Sequence, residues 1–458
     1  MGRPTRRMSR VSGWVGALVC AGTLLLPAHG EAQTVQGPLN LTQEEAVRLA
    51  MERAPRLAES RAKETAAAAN VTALRALGLP SANVSMQYMR LNHIDEFRIP
   101  DGSGGTRVLF PDIPNVYKPR AEVTVPIYSF GRVATNVNAA KADVDVARAD
   151  LRNAEADVRL DVLRAYWTLA TVRESVRVLV QSLARTDAWV GDVKSRVDAG
   201  FLPPNDVLSA QAQRARQQVR LLQVQNEEAL AELDLARLIG APGGTSIRTT
   251  SPVDQPLSQA ADLAAQPVDG VIARAISLRA EREGLTSRRD GLRHAAEAAL
   301  ANVKPYAVAL AALEPSRPNA RFVPPVDAWR TSWTVDLKVV WPFFDGGRSK
   351  AQAASLRSQA GAVDARRDEF DGFVALEVRQ RLLDLQFGRA AIAAADEGIA
   401  AATEARRVVD ERFRAGVATS TEVLDAQVAL LEAELERTRL NAGLRLTEAR
   451  LLRAVGER

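Results

Sequence analysis

The chain has 458 residues, of which 47% are hydrophobic, 25% charged and only 5% aromatic. Few aromatic residues, with abundant alanine, arginine and leucine, favour long helices packed side by side over a thick globular core. Lysine and arginine number 60 against 55 acidic residues, and four of the arginines lie in the first ten residues. The remaining chain is therefore nearly neutral, which does not favour a nucleic-acid partner.

Residues 1–30 are predicted to be a cleavable export signal. Arginines precede an apolar run at 11–26, and Ala28-His29-Gly30 has a small-x-small cleavage pattern. Residues 11–28 are also nearly long enough for a membrane helix, but polar, turn-forming residues follow at once. Cys20 is the only cysteine, and Val19 fits a lipid-attachment site poorly. The mature chain is therefore expected to lack disulfides, thiolate metal sites and cysteine nucleophiles.

An internal repeat organises the rest of the chain. One constant shift along the sequence, called the repeat shift, carries Gly131 onto Gly347 and aligns the two halves without a gap over more than a hundred positions. The same shift pairs Pro126 with Pro342, Arg132 with Arg348, and Gly240 with Gly456. Further upstream the match is looser, with 53–57 resembling 274–278 and Pro80 resembling Pro305. Aligned proline, glycine and arginine residues at one offset indicate a duplication.

Each repeat, 31–241 and 267–458, is expected to contain a first helix, two strands and a helical hairpin, with a linker at 242–266. The first helix begins at Thr42, which forms a Thr-x-x-Glu capping box with Glu45, and runs to about residue 77. The strands are predicted near 82–92, 117–128, 302–311 and 331–343, each pair flanking a loop rich in glycine and proline.

The two hairpins are expected to consist of long helices, near 132–199, 205–239, 347–415 and 421–456. A helix of nearly seventy residues is ~100 Å long, whereas the hydrocarbon core of a bilayer is ~30 Å thick. These helices are therefore expected to lie in water and to pack on one another. Ala199-Gly200 and Ala415-Gly416 end the outgoing arms, because glycine suits the left-handed residue after a helix.

The returning arms carry apolar residues at the 4-3-4 spacing of a coiled-coil seam. These are Leu208, Ala212, Ala215, Val219 and Leu222 in the first repeat, and Leu424, Val428, Leu431 and Leu435 in the second. The second returning arm is also expected to begin with a capping box, formed by Thr419 and Glu422.

The strand near 331–343 has one apolar face. That face consists of Trp333, Val335, Leu337, Val339 and Trp341, while the residues between them are mostly polar or charged. Alternation alone favours a half-buried sheet in a soluble domain. The export signal, the lack of a second apolar run able to span a membrane as a helix, and aromatic residues at both strand ends favour a lipid-facing strand of an outer-membrane barrel.

Four strands are too few to close such a barrel, since even the smallest have about eight. An open sheet in lipid would leave unpaired backbone groups at its edges. The fold is therefore expected to be mainly α-helical with a β-barrel part, in which copies of the chain complete the wall. Three copies would give a closed twelve-stranded barrel above a helical tunnel.

The ordered set of repeats, strands and hairpins resembles the TolC family of outer-membrane efflux proteins. The segments that carry the resemblance are 125–132 and 341–348 at the strand ends, and 196–208 and 412–424 at the hairpin tips. The resemblance implies an exit duct of a tripartite efflux or secretion system: a homotrimer whose barrel lies in outer-membrane lipid and whose helical tunnel lies in the periplasm. It also implies that a periplasmic adaptor docks at the tips and that an inner-membrane pump of the RND, ABC or MFS type completes the system.

The resemblance further implies an acidic aperture just after the second tip, at the positions of Glu422 and Asp425. Like charges in a narrow opening repel one another and bind cations, although Glu422 could instead serve only to cap the helix. The first repeat offers Asp206. A tyrosine and an arginine that lock the tip in the best-known member of the family are replaced here by Phe413 and Ala418, so this sequence is not expected to form that hydrogen-bonded lock.

No motif indicates an enzyme, a cofactor or a resident metal. His93 and His294 lack metal-ligand spacing, and Gly102-Ser103-Gly104-Gly105 lies between strands and is predicted to be an extracellular loop. The rival function is a periplasmic coiled-coil adaptor or scaffold, which would also have an export signal and long hairpins. An adaptor is expected to place one hairpin between small β-domains, whereas this chain has two hairpins, each preceded by a strand pair.

Overall fold

The computed structural model describes residues 39–242, 244–251 and 258–457, and the predicted export signal lies outside them. The first half forms β1 (Leu39–Leu41), α1 (Gln43–Arg53), α2 (Pro55–Ala76), β2 (Ser81–Arg90), β3 (Phe97–Pro100), β4 (Thr106–Phe110), β5 (Asn115–Tyr128), α3 (Arg132–Asp198) and α4 (Pro204–Leu238). The second forms β6 (Ile247–Thr249), α5 (Ser258–Ala264), α6 (Val268–Leu278), α7 (Ala280–Ala301), β7 (Tyr306–Ser316), β8 (Arg330–Val340), α8 (Arg348–Arg414) and α9 (Ser420–Val455).

The first helix of each half is divided in two, where one continuous helix was predicted. α1 begins with the predicted capping box: the amide of Glu45 donates to Thr42 Oγ1 (3.2 Å), and the amide of Thr42 donates to Glu45 Oε2 (2.9 Å). α1 ends at Arg53, and Ala54 is extended because a residue before proline is kept away from the helical conformation. α2 then starts at Pro55, where the missing N–H costs no helical hydrogen bond.

Before the sheet, corresponding elements of the two halves are related by a longer shift, the one that carries Pro80 onto Pro305. It superposes the bounds of α1 on α6 and of α2 on α7, and the start of β2 on that of β7. Arg53 therefore corresponds to Leu278, so the pairing of 53–57 with 274–278 is wrong by about one helical turn, an error that preserves the helix face. The connection between β2 and β5 contains the β3–β4 hairpin and is longer than residues 317–329, which connect β7 to β8. This extra length reduces the shift between the two halves, so that α3 and α8 are related by the repeat shift.

The main sheet is antiparallel and has the strand order β2-β5-β7-β8. β7 starts at Tyr306 rather than near 302, because α7 continues through Ala301. Two further strand pairs were not predicted. β3 pairs with β4, and β1 pairs in parallel with β6, which lies inside the expected linker. The predicted glycine-rich loop forms the turn between β3 and β4, where Asp101 accepts the amides of Ser103 (2.9 Å) and Gly105 (2.8 Å).

Tyr166, in the middle of α3, connects the β1–β6 pair to the long helices. Its side chain is fully buried. The hydroxyl donates to the carbonyl of Leu41 (3.0 Å) and accepts from the amides of Thr250 (3.1 Å) and Ser251 (2.9 Å). The Tyr166 hydroxyl thus binds three backbone groups at the end of the β1–β6 pair, two of which, the Thr250 amide and the Leu41 carbonyl, also bond to each other (2.9 Å).

The long helices pack side by side in a single layer. The two outermost positions of this layer lie on the same two sides of the chain as the two edge strands of the main sheet. Next to the sheet the order is α2, α3, α7 and α8, and towards the hairpin tips it is α4, α3, α9 and α8. One side of the chain is therefore bounded by β2, α2 and α4, and the other by β8 and α8. α3 and α8 have 67 residues each, which is ~100 Å of helix.

The predicted coiled-coil seam is confirmed in α9 and is wrong for α4 within one chain. On α9, Leu424, Leu431 and Leu435 are buried. On α4, Leu208 and Val219 are 63% and 54% exposed, and the helix turns Ala210, Gln217 and Leu221 towards the interior instead. The spacing correctly indicates an apolar stripe, but α9 lies inside the helical layer whereas α4 lies at its edge.

Close packing between α3 and α7 depends on a residue without a side chain. A Cβ added to Gly291 would lie 3.2 Å from the Cβ of Ala142. Gly291→Val is therefore expected to destabilise the fold by about 1–3 kcal/mol, the usual cost of overpacking, seen as a lower thermal midpoint by circular dichroism in detergent. Gly443→Val is the control, since nothing lies within 4 Å of its added Cβ. Equal losses in both variants would show that helix propensity, not contact, sets the effect.

Candidate functional site

The register of the main sheet aligns the apolar face of β8 with apolar residues of β7, β5 and β2. Leu337 pairs with Ala309, and Val335 pairs with Ala311. Ala311 in turn pairs with Val123 of β5. The five residues of the predicted lipid-facing strand, Trp333, Val335, Leu337, Val339 and Trp341, are 64–73% exposed in the single chain. The sheet thus presents a continuous apolar surface that the described part of the chain leaves uncovered.

The opposite face is mainly polar. Arg120 contacts Glu122 (2.7 Å) on its own strand and Glu314 (3.4 Å) on β7, and Asp336 and Lys338 continue this face on β8. β7 departs from the pattern, since apolar residues occupy both of its faces, with Val308, Leu310 and Ala312 on the polar side. A sheet with one apolar and one largely charged face can separate hydrocarbon from water.

Aromatic side chains cluster at both ends of the sheet. At one end the rings of Tyr88 and Tyr117 lie 5.1 Å apart, and those of Tyr117 and Trp329 lie 6.0 Å apart. At the other end the rings of Tyr128 and Phe130 lie 4.4 Å apart. Such girdles are typical of the two interfaces of a membrane barrel.

Both hairpin tips have the predicted glycine ends. Gly200 and Gly416 have φ of 79° and 77°, a left-handed conformation that favours glycine. At the first tip the amide of Phe201 donates to Arg196 O (2.8 Å), and the amide of Gly200 donates to Val197 O (2.9 Å). This is the Schellman pattern of a helix end. Ala199-Gly200 and Ala415-Gly416 therefore reverse the chain in the same way.

The predicted aperture residues lie in the first two turns of α4 and α9. Glu422 and Asp425 are exposed, and Asp206 is half-buried. The capping box expected at Thr419 is only half formed: the Glu422 amide donates to Thr419 Oγ1 (3.3 Å), but the Glu422 carboxylate accepts from the Thr419 hydroxyl (3.2 Å), not from its amide. The Glu422 carboxylate is thus bound by the Thr419 hydroxyl and not by the backbone.

An apolar cluster surrounds Phe413, one of the two positions at which the sequence departs from the polar lock. Its centre is the tip clasp, defined as Trp189 and Phe413, whose ring centroids lie 4.7 Å apart, and Arg196, whose guanidinium lies 4.9 Å from the Phe413 ring. Phe413 is 4% exposed. The indole N–H of Trp189 has no acceptor among the described residues, so apolar burial and a cation–π contact hold the clasp. The sequence analysis noted Phe413 only as a departure and missed Trp189.

Charged residues join the two halves at mid-length. Arg453 of α9 contacts Asp157 of α3 (2.9 Å) and Glu281 of α7 (2.7 Å). Arg279, which is 5% exposed, contacts Glu281 (3.1 Å) and Glu377. Burial by itself raises the pKa of Glu281, but the hydrogen bond and charge of Arg453 outweigh it and lower that pKa below its ordinary value. One network thus joins four charged side chains from four helices with Arg279, which lies between α6 and α7.

Metal-ligand clusters and membrane-spanning helices are both absent from the described ranges. No group of three or more histidine, cysteine, aspartate or glutamate residues is placed there to hold a metal ion. None of the helices in those ranges is both long enough and apolar enough to span a membrane. His93, one of the two candidate histidines, instead lies with Nδ1 2.6 Å from Asp112 Oδ2.

Comparison with known proteins identifies the family. The family described as "Outer membrane efflux protein" matches residues 46–241 and 316–457. Protein CyaE of Bordetella pertussis is 24% identical over 72% of this chain and 69% of its own length, and outer membrane efflux protein BepC of Brucella suis is 25% identical over 70% and 68%. The outer membrane protein VceC of Vibrio cholerae superposes with a TM-score of 0.72 at 18% identity, covering 91% of this chain and 96% of its own.

The superposition with VceC covers nearly the whole chain and shows that the two proteins share a fold. The family is one of outer-membrane efflux proteins and not of enzymes. Because its match extends over most of the chain, in both repeats, the chain belongs to the outer membrane efflux protein family.

Proposed function

We propose that this outer-membrane efflux protein is one protomer of a homotrimer that forms the exit duct of a tripartite efflux or secretion system. The main support for the proposal is that the unpaired edges of the sheet and of the helical layer lie on the same two sides of the chain. β2, α2 and α4 bound one side of the chain, and β8 and α8 bound the other. Joining unlike edges of successive copies is a head-to-tail contact, which forms a closed ring when the rotation closes.

The exposed side chains of the two edges support this contact. Leu208, Val219 and Leu222 form an uncovered stripe on α4. α8 has an uncovered stripe of its own, made up of Phe373, Leu376, Leu383 and Phe387. Their 3-7-4 spacing fits a coiled-coil seam. A neighbouring copy would cover both stripes, and burial of apolar surface stabilises such an assembly by ~25 cal/mol per Å².

The edge strands of the sheet favour the same head-to-tail contact in the membrane. Its β2 and β8 edges carry unpaired backbone groups, which hydrocarbon does not tolerate. Pairing β8 of one protomer with β2 of the next closes the wall, and three protomers supply twelve strands. Each repeat, 31–241 or 267–458, would contribute two strands and one hairpin. The polar face would line the lumen, and the helical tunnel would continue into the periplasm.

A duct of this kind would work with a periplasmic adaptor and an inner-membrane pump. The tips at Ala199-Gly200 and Ala415-Gly416 would meet a periplasmic adaptor, and an inner-membrane pump of the RND, ABC or MFS type would deliver cargo through it. The duct itself would need no cofactor, because passage through a water-filled tunnel involves no bond making or breaking. The family match favours this duct over the coiled-coil adaptor or scaffold.

Extraction and gel mobility test the proposal. The mature protein is expected to stay in outer-membrane fractions after washing with salt and urea, to dissolve in detergent, and to migrate as a trimer that becomes a monomer on heating. A soluble coiled-coil scaffold would leave the membrane with urea. Release into the urea wash, or a detergent-extracted monomer with no larger species, would contradict the proposal.

The acidic aperture leads to a second test. In planar bilayers, the double variant Glu422→Gln with Asp425→Asn is expected to weaken block by divalent cations by about tenfold, which corresponds to a loss of about 1.4 kcal/mol in cation binding. Glu432→Gln with Glu436→Gln, two exposed carboxylates further along α9, is the matched control and should leave the block unchanged. Unchanged block in the aperture variant would remove Glu422 and Asp425 from the gate.

A further inference from the structure

An open cavity lies at the edge of the helical layer that is bounded by α2 and α4. It has a volume of about 680 Å³ and forms where the start of α2, the middle of α3 and the end of α4 meet. This meeting point is called the first junction. Ala54 and Val158 are buried in it, while Arg56 and Arg237 add charge to its lining. The cavity therefore offers both apolar surface and charge to a side chain from outside the chain.

The repeat places a corresponding junction inside the chain. The longer shift carries the start of α2 onto that of α7, and the repeat shift carries α3 onto α8 and α4 onto α9. The second junction therefore lies where α7, α8 and α9 meet. It is not at an edge of the layer, because α3 packs against both α7 and α9. The way in which α3 covers the second junction thus shows how a helix in the same position would cover the first.

One ion pair, called the internal pair, marks the contact that covers the second junction. Asp157 of α3 lies 2.9 Å from Arg453 of α9. Under the repeat shift, Asp157 corresponds to Phe373 of α8, and Arg453 corresponds to Arg237 of α4. Within one chain these two counterparts lie on opposite sides of the helical layer, since α8 bounds one side and α4 the other. Head-to-tail joining places α8 of one copy against α4 of the next, so the corresponding contact forms between copies.

The two counterparts differ in chemistry from the internal pair. Phe373 is 56% exposed in the single chain and offers a ring instead of a carboxylate. Arg237 already has a carboxylate, because its Nη2 and Nε donate to Asp234 of the same helix (2.8 and 3.2 Å). Its side chain is 70% exposed, so a face of the planar guanidinium is open to an aromatic ring. An aromatic side chain from a neighbouring copy thus suits Arg237.

The other arginine of the first junction is also paired inside the chain. Arg56 of α2 lies 2.9 Å from Asp157 and 3.8 Å from Asp161, both on α3. At the second junction the position of Arg56 is taken by Glu281, which lies 2.7 Å from Arg453. Arg453 takes a second carboxylate from the covering helix, whereas the arginines of the first junction take theirs from their own chain. An apolar side chain can therefore cover the first junction without leaving a charge unpaired.

We propose that Phe373 of each protomer inserts into the first junction of the next protomer and packs on Arg237 there. The proposal rests on the proposed trimer and gives it a specific contact at mid-length of the helical layer. Leu376 supports the same contact. It is 64% exposed and corresponds to Leu160 of α3, which lines a cavity beside the second junction. The cavity is incomplete in the single chain, and its occupant is a second copy of this chain.

Cross-linking tests whether Phe373 reaches Arg237 of the neighbouring copy. Cys20 is the only cysteine and lies in the predicted export signal, so introduced cysteines have no thiol background. Phe373→Cys with Arg237→Cys is treated, as purified protein, with a short thiol-specific cross-linker. Covalent dimers and trimers are expected on denaturing gels after heating. Asp157→Cys with Arg453→Cys, which marks the internal pair, is the matched control and should give a linked monomer only.

The same gels separate failure of the contact from failure of the trimer. A heat-sensitive trimer whose Phe373→Cys and Arg237→Cys pair yields no covalent dimer would overturn the contact and leave the trimer in place. A wild-type protein that shows no trimer before heating would contradict the proposed duct, and the contact together with it.

A pair of opposite charges at position 373 supplies a readout that needs no cysteine. Phe373→Asp recreates the internal pair against Arg237, whereas Phe373→Arg brings two like charges together. Both variants lose the ring, so their difference reports on charge. Phe373→Arg is expected to leave about tenfold less heat-resistant trimer than Phe373→Asp, because like charges across an interface repel. Since Phe373 is exposed in the single chain, both variants should keep the helical content of the wild type by circular dichroism.

Reversing the charge of the partner residue makes the test specific for the contact. In an Arg237→Glu background the order is expected to reverse, with Phe373→Arg leaving more heat-resistant trimer than Phe373→Asp. Residues in contact show such coupling, and distant residues give additive effects. An order that stays the same whichever residue occupies position 237 would show that residue 373 does not face it, and would overturn the proposal.

Discussion

A Leu337→Arg variant is expected to lose most of its trimer from the outer membrane. Leu337 lies midway between Trp333 and Trp341, which are ~26 Å apart along the strand, and its side chain is 73% exposed on the apolar face. An arginine on the lipid face near the bilayer midplane costs about 2–4 kcal/mol, and a trimer would carry three. The heat-sensitive trimer in outer-membrane fractions is the quantity to measure.

The matched control lies three residues away on the other face of the same strand. Thr334→Arg introduces the same charge next to Asp336 and Lys338, on the polar face proposed to line the lumen. It is expected to assemble at close to the normal level, since water solvates the new guanidinium. If both arginine variants lose the trimer equally, the strand does not have one lipid face and one lumen face, and the barrel proposal fails with it.

The long helices were predictable because their ends are marked locally. α3 and α8 were expected near 132–199 and 347–415, and they occupy Arg132–Asp198 and Arg348–Arg414. Each starts after a left-handed glycine, Gly131 or Gly347, and each ends before an Ala-Gly pair. These signals act within one turn of the helix and need no tertiary partner to be read.

The partner of each apolar stripe could not be predicted in the same way. Leu208 and Leu424 occupy equivalent repeat positions, yet the first is exposed and the second is buried. Helical spacing shows that a stripe exists, but not whether the covering helix belongs to the same chain. The position of the helix at the edge or the interior of the layer decides this, and that position follows from packing over the whole chain.

The candidate site shows the same division between local and distant signals. The alternating strand that ends at Trp341 and the glycine tips were visible in the sequence, because each depends on neighbouring residues. The tip clasp was missed because Trp189 and Phe413 are far apart in sequence and no spacing rule connects them. One signal was present: the repeat shift aligns Trp189 with Ala405, a break in the repeat at a large aromatic residue.

Arg279→Met is expected to destabilise the helical layer by about 2–4 kcal/mol. Arg279 is 5% exposed and holds Glu281, Glu377 and the carbonyl of Ala454. Removing one partner of a largely buried ion pair costs more than the pair contributes, because the remaining charges stay desolvated. Methionine keeps most of the side-chain volume, so the loss reports on charge. The thermal midpoint of the purified protein, followed by circular dichroism at pH 7, measures it.

Arg48→Met is the matched control, since the Arg48–Glu52 pair has side chains more than half exposed and is expected to contribute less than about 1 kcal/mol. A pH series on Glu281→Gln separates charge from packing. The folded pKa of Glu281 is lowered, so its carboxylate stabilises the fold above the unfolded value of about 4.3, and this contribution disappears as pH falls through the folded pKa. The wild type should therefore exceed Glu281→Gln in stability at pH 7 and converge with it in acid. A constant difference at all pH values would assign the effect to packing.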